Sequence, residues 1–251
     1  MVEEPFAEGT TLLHRMDAAA KVVAAVIFVI PAATTNNIQL AACFGLLSLV
    51  LATIARLPFV RVVKRLFLVN TFTLFLLVTL PLSYGGELMY LFSAIPVSIE
   101  GTRLALLICV KTNTILIALM SLLNTSNIAL LGYGLEKLRL PLRLCYLILF
   151  TYRYIFVIEQ EFRRLLRAAQ MRCFSPSTNI HTYRTFGYLF GMTLVKSWEQ
   201  AHRVHQAMVL RGFNGRFIPL SLPSMDLKSY LLITLIALYC LVLVWLEYFP
   251  P

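Results

Sequence analysis

Apolar and polar residues fall along this chain in long blocks, and the block lengths predict its elements. The first apolar run covers residues 22–33. With Ala18, Ala19 and Ala20 added, it reaches the ~17 residues a helix needs to cross the hydrocarbon core of a bilayer. An uncharged turn rich in Pro, Thr and Asn follows from Pro31 to Asn37. Residues 38–55 form a second block that ends at Arg56, Leu57 and Pro58. A third, 66–82, is closed by Pro81 and a turn at Tyr84, Gly85 and Gly86. Residues 87–100 have an acid at each end, no Lys or Arg, and mixed apolar content, so an interfacial or re-entrant piece is expected there. The fourth block, 101–123, is interrupted by Lys111. The last, 227–246, has about the standard 20 residues of a span. Lys228 stands at one end of it, with Trp245 and Tyr248 at the other.

The texture differs between 124 and 226. Residues 126–138 predict a short amphipathic helix, with Thr125 or Ser126 as its cap. Pro141 suits the first turn of a new helix. That helix can run to Arg172, roughly 46 Å at 1.5 Å per residue. Phe150, Tyr154, Ile158, Phe162, Leu165 and Ala169 share one face of it, and Arg153, Gln160, Arg164 and Arg167 mark another. Residues 175–179, rich in Ser, Pro and Asn, break the chain. A second long helix is expected over 182–211. It contains Gly187 and Gly191, whose spacing allows close approach of two backbones, so the crossing of the two long helices is expected there. The pattern divides the chain into a membrane bundle of four spans at 1–123, a cytoplasmic block at 124–226 and a final span at 227–251.

Composition settles the class. Of 251 residues 59% are hydrophobic, against about 45–50% apolar in soluble domains. Only 14% are charged, and the mean hydropathy is +0.78. The chain reads as an all-α polytopic membrane protein. Its net charge of +10 would suggest nucleic acid in a soluble protein, whereas here it marks cytoplasmic loops. Arg56, Arg61, Lys64 and Arg65 form one basic cluster, and block 137–216 is rich in Lys and Arg. The turns at 31–38 and 82–100 have neither. Five spans, with the N-terminus inside and the C-terminus outside, put every basic cluster in the cytoplasm. Counting 142–158 or 185–198 as further crossings would strand Arg153 or Lys196 in lipid. Cys43, Cys109, Cys145, Cys173 and Cys240 are scattered without a C-x-x-C pair, and read as small apolar residues. The acidic, polar first stretch predicts no cleavable signal peptide.

No G-x-x-x-x-G-K-[ST], H-E-x-x-H or G-x-S-x-G occurs, so ATP-driven work falls to a partner. His202 and His205 lack nearby acid or thiol partners and read as polar residues on a helix, not a metal site. Lys111 costs about 2.5–3.5 kcal/mol to place in a membrane. It is expected in a buried polar cluster with Asn113 or Thr114, or with Asn70 or Thr71; contact with a moving substrate subunit is the other reading. A basic block could instead serve a membrane enzyme acting on lipid or isoprenoid phosphates. Glu159 and Glu161, however, diverge on a helix and make no acidic pair.

The sharpest signal is a repeat. Ala168 is followed four residues later by Arg172, Cys173 and Phe174; Ala207 is followed four residues later by Arg211, Gly212 and Phe213. Glu199 and Arg203 stand in the favourable acid-before-base order on the second copy. Two helices ending in the same cationic tip read as paired docking prongs. The pair resembles the two Ala-Arg-Gly motifs of the transmembrane T component of energy-coupling factor (ECF) transporters, and residues 197–217 resemble its cobalt-type branch, the CbiQ family. The resemblance runs from about Leu13 to Pro219, keeps Asp17 and Lys21 near the start, and departs at Cys173, where the family usually has glycine.

That resemblance implies an L-shaped fold of a membrane bundle and two crossed coupling helices, in a subunit that is not an enzyme. It implies that Ala168, Arg172, Ala207, Arg211 and Gly212 couple to a cytoplasmic ATPase dimer of the CbiO kind. It also implies a membrane metal-binding subunit of the CbiM kind and a small CbiN-like subunit. ATP would then be bound by the ATPases, and cobalt or nickel by the metal-binding subunit. The setting would be a bacterial or archaeal cell membrane supplying cobalamin biosynthesis.

Overall fold

A computed structural model of the chain describes residues 13, 16–84, 88–91, 95–138, 140–214 and 227–248. The expectations for the segment before Leu13, for Gly85 and Gly86, for 215–226 and for Pro251 lie outside the described residues. Among them, eight helices and one pair of antiparallel strands follow in order. They are α1 (Ala18–Thr34), α2 (Ile38–Ile54), α3 (Phe59–Ser83), β1 (Leu88–Leu91), β2 (Ile95–Ser98), α4 (Ile99–Leu122), α5 (Ile128–Lys137), α6 (Leu142–Met171), α7 (Ile180–Leu210) and α8 (Leu227–Tyr248). The architecture is all-α and polytopic. Two compact units divide the chain, one of residues 2–138 with 223–251 and one of 139–222.

In the first unit, α3, α4 and residues 229–247 of α8 are long and apolar enough to cross a membrane. The helices α1 and α2 are apolar but have only 17 residues each. Because lipid is as apolar as Leu, helices here associate through close packing and polar contacts. Ala24, Ala25 and Ala32 are accordingly buried on α1, beside Phe28. Phe28 meets Phe44 of α2 edge-on at 5.6 Å, and Tyr239 of α8 meets Phe44 at 6.5 Å. The Tyr239 hydroxyl donates to the Cys43 carbonyl at 2.9 Å, so the polar end of that ring is satisfied.

Two contacts orient α8. The Asp17 N–H donates to Ser229 Oγ at 3.4 Å, and the Asn36 N–H donates to Glu247 Oε1 at 2.8 Å. Starts meet starts and ends meet ends, so α1 and α8 run parallel. Lys111 Nζ donates to the Ala33 carbonyl at 2.8 Å, where the last turn of α1 leaves carbonyls open and its dipole favours a cation. Asn70 and Asn113 pair with each other at 3.1 Å, so the expected polar cluster forms without Lys111.

Two local features add detail to the pattern. Leu88–Leu91 and Ile95–Ser98 pair antiparallel, with Leu88 facing Ser98 and Leu91 facing Ile95. Pro96 does not suit a helix interior, and the strand pairing satisfies backbone groups instead. Ser98 Oγ then caps α4 by accepting from the Gly101 N–H at 3.2 Å. The short amphipathic helix α5 packs on α1 within the first unit.

The second unit holds α6 and α7, packed antiparallel. Phe174, just past α6, meets Phe186 at 5.9 Å; Phe162 stacks on Phe190 at 5.0 Å; Lys196 Nζ reaches Glu161 Oε1 at 2.6 Å. The expected crossing at Gly187 and Gly191 is not found. Both glycines are exposed, and a Cβ on either would meet nothing within 4 Å. Thr182, Leu189 and Thr193 are the buried positions of α7. Helical phase puts Gly187 and Gly191 across the helix from that face.

Candidate functional site

The two repeated tips share one backbone geometry. At the end of α6, the Cys173 N–H donates to the Gln170 carbonyl at 3.0 Å and the Phe174 N–H to the Ala169 carbonyl at 3.1 Å. At the end of α7, the Gly212 N–H donates to the Val209 carbonyl at 2.9 Å and the Phe213 N–H to the Met208 carbonyl at 3.0 Å. Each is a Schellman cap, closing the open carbonyls of a helix C-terminus. The cap needs a left-handed residue just after the arginine, and Cys173 (φ 64) and Gly212 (φ 80) supply it. Cys173 thus fills the glycine position of the motif in the glycine conformation. The repeat read from the sequence is a repeat of cap chemistry, in which arginine, left-handed residue and phenylalanine each have a place.

The caps decide what the tips present. Arg172 and Arg211 occupy the cap position itself and are exposed, and among the described residues neither guanidinium has a hydrogen bond or ion pair. Ala168 and Ala207 lie exposed one turn earlier, leaving space beside each arginine. The residue before each arginine is apolar and almost fully solvent-facing: Met171 is 86% exposed and Leu210 88%. Each tip therefore offers a planar cation and an apolar side chain, a combination suited to a carboxylate beside an apolar groove. The phenylalanines turn back onto the helices. Phe174 packs on His181 and Phe186, and Phe213 lines the cleft between α6 and α7.

Because α6 and α7 are antiparallel, the tips lie at opposite ends of the pair. Arg172 stands about 15 Å past Phe162 along α6, and Arg211 about 32 Å past Phe190 along α7, at 1.5 Å per residue. Between them runs a cleft of about 490 Å³, mostly apolar, lined by Tyr154, Ile158, Val204 and Met208 among others. Glu161 and Lys196 place an ion pair in its wall, with Arg164 adding a 3.0 Å ion pair to Glu161. The Glu161 carboxyl is held below its usual value, first by the Lys196 hydrogen bond, which burial partly opposes, and with further lowering from Arg164. The sequence held no local signal for this bridge, since its partners are 35 residues apart. Glu159 turns away to Arg163 at 2.7 Å, so the two acids diverge. His202 lies against Trp198 at 4.9 Å, and His205 lines the cleft. Among the described residues, no three His, Cys, Asp or Glu side chains come together as a metal site.

A basic, twice-capped helix pair joined to an apolar bundle is the arrangement that the repeat motif implies, and comparison with known proteins decides the family. This chain belongs to the CbiQ family of cobalt transport proteins. The match covers residues 9–220 and so takes in both tips. The chain is 25% identical over 230 residues to the energy-coupling factor transporter transmembrane protein EcfT of Bacillus subtilis, covering 86% of this chain and 85% of that protein. It is 26% identical over 153 residues to the uncharacterized protein MJ1089 of Methanocaldococcus jannaschii, where it spans 57% of the relative's length. It is 32% identical over 85 residues, 34% of this chain and 30% of the relative, to the nickel permease LarQ of Lactiplantibacillus plantarum. CbiQ proteins are membrane components of transporters, not enzymes, so the reading as an enzyme of lipid or isoprenoid phosphates is dropped.

Proposed function

We propose that the chain is the transmembrane coupling subunit of an ECF-type ABC importer for cobalt ions, carrying ATP-driven motion from cytoplasmic ATPase subunits to a separate metal-binding membrane subunit. The observation that carries this reading is the pair of identically capped tips, each with an arginine that has no partner among the described residues and stands beside an exposed apolar residue. One tip alone would be an ordinary exposed helix end. Two at opposite ends of one antiparallel pair suit the two halves of an ATPase dimer of the CbiO kind. Closure of that dimer on ATP would draw the tips together and tilt the helix pair. The parallel course of α1 and α8 supports an odd number of crossings, as in the five-span reading, because first and last spans run the same way only when their number is odd.

Metal choice would rest with the partner membrane subunit, of the CbiM kind and with a CbiN-like companion. The similarity to LarQ supports nickel as a second cargo. The test is co-purification of an ATPase pair and a metal-binding subunit with this chain, followed by cobalt and nickel uptake in reconstituted vesicles. Arg172→Glu with Arg211→Glu should abolish ATPase retention, each losing about 1.5–3 kcal/mol of charge-assisted contact. Full retention by the double variant would overturn the reading.

A further inference from the structure

The second unit joins the first through two connections, the one leaving after α5 and the one returning at α8. Asp17, at the head of α1, touches both. Its Oδ2 accepts from Lys137 Nζ at 2.6 Å, at the last residue of α5. Its N–H donates to Ser229 Oγ at 3.4 Å, in the first turn of α8. Its Oδ1 meanwhile accepts from the Ala19 N–H at 3.2 Å and caps α1. Both Asp17, 3% exposed, and Ser229 are buried, so these contacts are shielded from competing water.

Two further contacts hold α5 along its length. Lys21, on the next turn of α1 and fully buried, donates to Ser126 Oγ at 2.7 Å and to Thr125 O and Oγ1 at 3.4 Å, just ahead of α5. Between these ends, a Cβ on Gly134 would lie 2.7 Å from Ala19 N and 3.0 Å from Ala18 C. Only glycine lets the two backbones meet there. The short helix is thus fastened to the head of α1 at its start, its middle and its end.

We propose that this clamp, with Asp17 as its positioning residue, is where motion of the coupling unit is delivered to the membrane bundle. A connection that could pivot freely would let the coupling unit tilt without moving α1. With the end of α5 and the start of α8 both held to it, α1 turns when either is pulled, and with it the core that Phe28 shares with Phe44 and Tyr239. The proposal rests on the coupling function above and adds where in the bundle the force arrives.

The test uses Asp17→Asn, which retains a capping side chain, with Lys137→Met, Lys137→Arg and the Asp17→Asn/Lys137→Met double variant. In reconstituted complexes, each of Asp17→Asn and Lys137→Met should raise the ATP hydrolysed per ion imported about fivefold, with ATPase retention unchanged. The double variant should be no worse than either single change, because both remove the same contact. Lys137→Arg should restore the wild-type ratio. An unchanged ratio in the single variants, beside a wild-type complex that couples normally, overturns the clamp. Hydrogen exchange of the purified chain gives a second measure that needs no transport. The amides of α5 should exchange about tenfold faster in Lys137→Met and those of α4 should not change. Unchanged exchange at α5 overturns the clamp whatever the cargo. A wild-type complex that hydrolyses ATP without moving either metal overturns the coupling function instead.

Discussion

Cys173 and Gly212 stand at matching positions of matching caps, which makes them a controlled pair for measuring backbone strain. Cys173 holds φ 64 with a side chain, and Gly212 holds φ 80 without one. An L-residue in the left-handed region pays about 1–2 kcal/mol through its Cβ. Glycine avoids that cost but loses about 0.5–1 kcal/mol more backbone entropy on ordering. Cys173→Gly should therefore stabilise the end of α6 by about 0.5–1 kcal/mol. Gly212→Ala should destabilise the end of α7 by a similar amount, and through strain alone, since a Cβ there meets nothing within 4 Å. The reporters are the amides that close the caps, Phe174 to Ala169 and Phe213 to Met208. Their hydrogen exchange should slow about two- to fivefold in Cys173→Gly and quicken by the same factor in Gly212→Ala, since 1.4 kcal/mol is about tenfold. Exchange at mid-helix amides of α6 and α7 serves as the internal control. Slower exchange in both variants, or no change in either, would refute the strain account and make the two caps equivalent whatever fills them.

Four further outcomes are expected. Glu161 has a depressed pKa in the folded chain, so its bridge to Lys196 is fully present above the ordinary 4.5 and is lost as pH falls below it. Spin labels across α6 and α7 should separate in that acid range, and Glu161→Gln should remove the pH dependence. Phe162→Ala should weaken the helix pair by about 0.5–1.5 kcal/mol beyond the lost area, the value of an aromatic stack. Gly187→Leu with Gly191→Leu should leave the α6–α7 label distances unchanged, and a shift would restore the glycines to the crossing. An impermeant thiol reagent should label a cysteine at Ser83 from outside but one at Asn214 only after permeabilisation, and outside labelling at 214 would overturn the five-span topology.

The sequence by itself determined the class of the protein, the positions of its helices and its two tips. Long apolar blocks admit only spans, and their ends are marked by Pro58, Pro141 and the breaks at 175–179, so the helices were legible to within a few residues. The tips were legible because a cap is a local device, in which arginine, left-handed residue and phenylalanine lie within one turn. Only tertiary structure decided which face of α7 meets α6. A pair of glycines spaced for contact carries no phase of its own, and the phase was set by Phe162, Phe190 and the Glu161–Lys196 bridge. The contacts of Asp17 were hidden for the same reason at greater distance. Its partners Lys137 and Ser229 lie 120 and 212 residues away, and no local pattern of hydropathy or charge records which remote side chains the topology will bring together.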